Sequence, residues 1–177
     1  MKIIKTKIPD VLIIKTNIYN DNRGFFTETY NQNRYVKADF NHIFLQDNLV
    51  YSKKNVLRGL HYQINMPQGK LVQCVDGSIF DVAVDLRENS EYYLNWVGVE
   101  LSSKNQCQLY IPEGFAHGYC VLSESSLVSY KCTNTYNAKY EKGIIWNDSS
   151  INIDWPIQNP LLSEKDKELK PLKHYES

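Results

Sequence analysis

Arg58, His61 and Lys70 stand in Arg58-Gly59-Leu60-His61-Tyr62-Gln63 and the later Gly69-Lys70-Leu71-Val72, an apolar, strand-like setting where a plain β-core carries none of them. Together they offer a fixed cation for an anionic group, an imidazole that moves protons near neutral pH, and an ammonium that can face a developing oxyanion. His117 follows the turn Pro112-Glu113-Gly114 and stands at the start of the apolar strand Tyr119–Leu122, where a lone histidine is ordinarily structural. Arg23 and Glu28 flank Phe25-Phe26 and read, taken alone, as solvated turn or strand-edge charges. Gln46-Asp47-Asn48 reads as a turn.

These residues must be held by something, and the chain of 177 residues is long enough for one domain, spanning 1–177, with a real core. Twenty basic and twenty acidic residues cancel, so no global field draws it to nucleic acid or an anionic membrane. Any anion must be met locally. Met1 to Asp10 alternate Lys with Ile and lack the apolar block of a signal peptide, and the aliphatic run Val11–Ile14 is too short to span a bilayer. A soluble, cytoplasmic protein is expected. Cys74, Cys107, Cys120 and Cys132 include no Cys-x-x-Cys pair, so they read as buried thiols rather than zinc or redox ligands.

Short segments rich in Val, Ile, Tyr and Phe alternate with Gly, Asn, Asp and Ser, and sustained helical periodicity is nearly absent. The pattern predicts an all-β fold. Val11–Ile18, Leu94–Leu101, Gln108–Ile111 and Leu127–Thr133 are strand candidates, with Val128, Tyr130 and Cys132 on one face, and 29–40 can hold a short helix. Asp76-Gly77 predicts a hairpin that pairs Val72 with Asp81 and Lys70 with Ala83. Lys70, Val72, Cys74, Ile79, Asp81, Ala83 and Asp85 then share one face, and Leu71, Val75, Phe80, Val82, Val84 and Leu86 the other. The first face resembles the lining of a polar pocket. Ser163-Glu164-Lys165-Asp166 is a helix start with Ser163 as cap, and Pro171 ends that helix.

Arg23-Gly24-Phe25-Phe26-Thr27-Glu28, Gln46-Asp47-Asn48, Arg58-Gly59-Leu60-His61, Gly69-Lys70-Leu71-Val72, Phe80-Asp81-Val82, Pro112 to Gly118, Tyr130-Lys131, Glu141, Trp146-Asn147-Asp148 and Leu162 to Asp166 occur in order and at fitting spacing. In this the chain resembles the dTDP-4-dehydrorhamnose 3,5-epimerase family, sugar-nucleotide epimerases of the cupin superfamily. The resemblance implies a cupin-like jelly-roll barrel (a double-stranded β-helix) with short peripheral helices, acting as a homodimer on a nucleotide-diphosphate sugar. By that likeness His61 is the base, Tyr130 the acid on the opposite face, Asp166 the partner of His61, and Lys70 the neighbour of the keto oxygen. Asp81 is a further candidate for the surroundings of His61. Arg23, Glu28, Gln46, Asp47, Asn48, Arg58, His117, Glu141 and Lys165, with Lys70, correspond to substrate contacts.

The implied chemistry needs these residue types. A ketone at C4 acidifies the hydrogens at C3 and C5, because the resulting carbanion delocalises as an enolate. Inversion then requires a base on one face and an acid on the other. An enzyme of the same fold that inverts one carbon, or isomerises the ketone, on another nucleotide sugar is the alternative. Metal-binding cupins usually offer His-x-His with a glutamate in the first motif; here Gln63 stands where the second histidine would be, so neither metal nor cofactor is expected. The likeness suggests thymidine diphosphate, yet no residue pattern reads a thymine, so the nucleotide, dTDP, GDP or CDP, stays open; Leu49-Val50 also stands where many members carry more polar residues.

Overall fold

The fold comes from a computed structural model, which describes residues 1–174. Its body is two facing antiparallel sheets. One runs in the order β1 (Lys2–Lys5), β2 (Leu12–Lys15), β10 (Cys107–Ile111), β7 (Lys70–Asp76), β12 (Ser125–Cys132), β5 (Gln46–Lys53). The other runs β13 (Glu141–Gly143), β6 (Leu57–Gln63), β11 (Phe115–Val121), β8 (Ser78–Asp85), β9 (Trp96–Ser102). A separate hairpin joins β3 (Ile18–Asp21) to β4 (Gly24–Thr27), and the helices α1 (Gln32–Val36) and α2 (Glu164–Lys167) are short. This is the all-β fold that the residue pattern predicts and the jelly roll with short peripheral helices that the resemblance implies. No helix among the described residues is long and apolar enough to cross a membrane.

The central strands β8 and β11 are covered on both faces, which explains apolar runs that are nearly continuous there, whereas the edge strand β5 alternates buried and exposed. Between the sheets lie Val72, Cys74, Ile79, Ala83, Leu101, Leu109 and Val128, each fully buried. Burying an aliphatic side chain of this kind stabilises by about 1.5–3 kcal/mol. Ile144, Ile151, Trp155 and Leu172 from the C-terminal stretch cover the outside of the five-stranded sheet over Leu57, Leu60, Val82 and Val84. Around α1, Tyr35 and Phe40 do the same for the six-stranded sheet over Ile14, Leu71 and Tyr110. All four cysteines are buried free thiols, as expected.

The predicted hairpin does not form. β7 pairs with β10 and β12, whereas β8 pairs with β9 and β11, so the turn at Asp76-Gly77 carries the chain from one sheet to the other. Gly77 has φ +76°, and a Cβ there would lie 2.1 Å from the Ser125 carbonyl oxygen. The predicted faces nonetheless hold at most positions: Val72, Cys74, Ile79 and Ala83 point between the sheets, and Val82 and Val84 point out. Facing depends only on the two-residue period, while pairing depends on how the whole barrel closes.

Three further expectations change. Val11–Ile18 is not one strand, because β2 ends at Lys15 and β3 begins at Ile18. Gln46-Asp47-Asn48 is no turn but the opening of β5, where its polar side chains alternate inward and outward. His117 lies in the middle of β11 rather than at its start, and directly opposes His61 on β6. That contact is close: Gly59 has φ +109°, and a Cβ there would meet the His117 carbonyl oxygen at 2.6 Å and Gly118 Cα at 2.8 Å. Gly59→Ala should therefore cost at least ~2 kcal/mol in urea unfolding. An unchanged midpoint would show that β6 and β11 need no such approach.

Candidate active site

A cleft between the sheets has two adjoining lobes, of about 310 and about 270 Å³, and His61, Lys70 and Tyr130 line both. His61 comes from β6 of one sheet. Lys70 and Tyr130 come from β7 and β12 of the other. The ladder sets Lys70 opposite Cys132 and Val72 opposite Tyr130, so these four share the inner face of their wall. The imidazole thus stands on one wall of the cleft, with the phenol and the ammonium on the opposite wall.

Asp166 reaches His61 from α2, its Oδ1 lying 2.5 Å from His61 Nε2. Ser163 caps α2 by accepting from the Asp166 N–H at 3.1 Å, as predicted, but the Asp166 carboxylate turns to the imidazole instead of completing a capping box. Burial raises the Asp166 carboxyl, yet hydrogen bonds from His61, Ser163 and the Gly59 backbone outweigh it and hold the group below its ordinary range. An ionised carboxylate only accepts, so Nε2 supplies the hydrogen of this bond and Nδ1 takes no part in it. The bond thus orients the imidazole and turns Nδ1 away from Asp166.

On the facing wall, burial above all pushes the Tyr130 phenol up to about 12, so it stays a neutral donor. Burial also lowers the Lys70 ammonium from its ordinary value, against the pull of Cys132, Asp81 and Glu141. Beside His61, His117 Nε2 lies 2.7 Å from Asp81 Oδ1. Burial takes the His117 imidazole below its ordinary value, a larger effect than the neighbouring carboxylate's. Asp81 therefore pairs with His117 and not with His61, because its β8 position faces Tyr119 of β11, two residues from His117.

Gln46, Asn48 and Glu141 also line the first lobe, and Arg58, His117, Lys165 and Asp166 the second. The cleft does not gather every predicted residue. Asp47 points away from it on the outer face of β5 and pairs with Lys131 at 2.9 Å. Arg23 closes on Asp21 of its own turn at 2.7 Å, and Glu28 pairs with Arg34 at 3.2 Å. Conversely, Tyr136 lines the first lobe and was not predicted: its N–H donates to Gln46 and its hydroxyl to Glu141, which also holds Lys165 at 2.5 Å. It lies in a loop without periodicity, where no signal marks it. Tyr119 was also missed, although the two-residue period places it on the face of His117.

Among the described residues, no three His, Cys, Asp or Glu side chains group as a metal site. Gln63, at the position of the absent histidine, spends its amide on loop backbone, donating to Met66 O and accepting from the Asn137 N–H, both at 2.7 Å.

A jelly-roll barrel with a carboxylate-bonded histidine facing a phenol and a lysine across one cleft presents the groups of a candidate acid–base site. Comparison with known proteins makes this particular. The family model described as dTDP-4-dehydrorhamnose 3,5-epimerase matches residues 5–174, and the chain belongs to that family. It is 55% identical over 168 residues to the dTDP-4-dehydrorhamnose 3,5-epimerase of Shigella flexneri, covering 94% of this chain and 93% of that one. Its fold matches the dTDP-6-deoxy-D-glucose-3,5-epimerase of Legionella pneumophila in complex with dTDP-4-keto-L-rhamnose, with TM-score 0.94, 46% identity, and 97% and 93% of the two chains covered. The Bacillus anthracis dTDP-4-dehydrorhamnose 3,5-epimerase with TDP and PPi bound matches with TM-score 0.94 and 42% identity, over 97% of this chain and 99% of that one.

The opposed shifts of Lys70 and Tyr130 predict which group ends activity in alkali. With Lys70 lowered and Tyr130 near 12, the ammonium loses its proton first as pH rises, so kcat/KM should fall below the phenol's range. Lys70→Arg should move that alkaline limb upward, since a guanidinium stays charged. A limb that does not move would clear Lys70.

Proposed function

We propose that the chain inverts C3 and C5 of dTDP-4-dehydro-6-deoxy-D-glucose to give dTDP-4-dehydro-L-rhamnose, and that the cleft between its sheets is where this happens. One observation carries the reading: a base oriented by Asp166 stands on one wall, and a neutral phenol with an ammonium stands on the other. His61 Nδ1 takes the proton from carbon, and the electron pair delocalises onto the C4 oxygen, where Lys70 meets the enolate charge. Tyr130 returns a proton to the opposite face of the same carbon. Exchange with water takes the proton from His61 and returns one to Tyr130, and the same steps at the second carbon then yield an isomer, so no electron acceptor is required.

The cationic second lobe suits the sugar and its phosphates, with Arg58 as the phosphate clamp. The first lobe, lined by Gln46, Asn48 and Tyr136, suits the nucleoside. As the active form we propose a cytoplasmic homodimer. Its support is that β3–β4 exposes Tyr19, Phe25 and Phe26, and that edge strand β5 exposes Leu49 at 65% and Tyr51. In such a dimer, the hairpin of one copy brings Arg23 and Glu28 to the cleft of the other.

Incubating the 4-keto-6-deoxy sugar nucleotide with the protein in deuterated water tests the reaction. NMR should find deuterium at both C3 and C5 with inversion at each. Label at one carbon alone would reduce the activity to a mono-epimerase, and no exchange at either would end the proposal.

A further inference from the structure

At the base of the second lobe, three polar side chains are joined in a way the proposed mechanism does not use. Arg58 Nε donates to Ser52 Oγ at 3.0 Å, and Ser52 Oγ lies 3.3 Å from Tyr119 Oη. Ser52 belongs to β5 of one sheet, while Arg58 and Tyr119 are cross-strand partners on β6 and β11 of the other. Ser52 and Tyr119 are both 3% exposed, yet Arg58 and Tyr119 line the lobe and Ser52 does not.

Counting hydrogens shows a surplus. Arg58 can only donate, so Ser52 Oγ is an acceptor in the first bond. The two hydroxyls then carry two hydrogens for one contact between them, and one hydrogen is left over. If Tyr119 donated to Ser52, the spare hydrogen would sit on a serine sealed in the wall, at the cost of an unmade buried bond. If Ser52 donates to Tyr119, the spare hydrogen is on a phenol that borders the lobe, where a ligand oxygen can take it. The charge on Arg58 polarises the serine in the same direction and strengthens the chain.

We propose that Tyr119 is a further substrate-binding donor, its hydroxyl turned into the lobe by the Arg58–Ser52 bond so that phenol and guanidinium grip the same phosphate group. Ser52 acts as a positioning residue that couples the two. Burial raises the phenol's pKa, so Tyr119 remains a donor across the neutral range. The inference rests on the reading of the second lobe as the seat of the phosphates.

The experiment is a double-mutant cycle on the intact protein, with dTDP affinity measured by calorimetry and turnover measured alongside. Tyr119→Phe, which keeps the ring, should weaken dTDP binding ~10-fold, with the loss in kcat/KM carried mainly by KM. Ser52→Ala should do the same, and the double variant should be no weaker than either single one. Ser52→Thr, which keeps the hydroxyl, should restore affinity where a purely structural effect of the alanine would not. Wild-type affinity in Tyr119→Phe, or losses that multiply in the double variant, would overturn the proposal. Repeating the cycle with inorganic pyrophosphate separates the two readings: a wild type that binds pyrophosphate but not dTDP counts against the nucleotide assignment, while the coupling stays measurable.

Discussion

The hydrogen bond between His61 and Asp166 is what the rest of the cleft depends on. A carboxylate that is 3% exposed is expensive to ionise unless it is paired and bonded, and here the imidazole, a capping serine and a backbone N–H supply what water would. The same bond orients the imidazole and, in the proposed reaction, leaves Nδ1 as the nitrogen that takes the proton. It also ties α2, near the C-terminal end of the chain, onto β6. Were Asp166 to complete its capping box, His61 would keep its place but lose its orientation.

The second constraint is that two sheets must face each other. Period-two alternation puts His61 on the inner side of one and Lys70 and Tyr130 on the inner side of the other, so the two walls of the cleft differ in chemistry. Electrostatics sharpens the difference. Burial lowers the ammonium and raises the phenol on the same wall, so each is moved toward its neutral form. A charge developing on the substrate is then worth more than it would be in water.

Much of this could be read in the residues. The alternation of Val72 and Cys74 against Val82 and Val84 gave the faces, and the order of short motifs gave the family. Pairing partners were not legible, since Asp76-Gly77 makes a good hairpin turn locally and only closure of the barrel turns it into a corner. Nor could local sequence show that Asp166 serves His61, across 105 residues, or that Asp81 serves His117. Arg23, Glu28 and Asp47 were named by resemblance, and one chain alone leaves them outside its cleft. Tyr119 illustrates the reverse: its spacing from His117 was in plain view, but its meaning needed Ser52 from the facing sheet.

The central claim is a division of labour between walls, and Tyr130→Phe tests it most directly. With the acid removed and the base intact, the 4-keto sugar nucleotide in deuterated water should still exchange hydrogen for deuterium, with configuration retained, because His61 trades the abstracted proton for a solvent deuteron and delivers it to the same face. Inversion should fall by ~10²–10⁴. Inversion at the wild-type rate in Tyr130→Phe would contradict the account, placing the returning acid elsewhere.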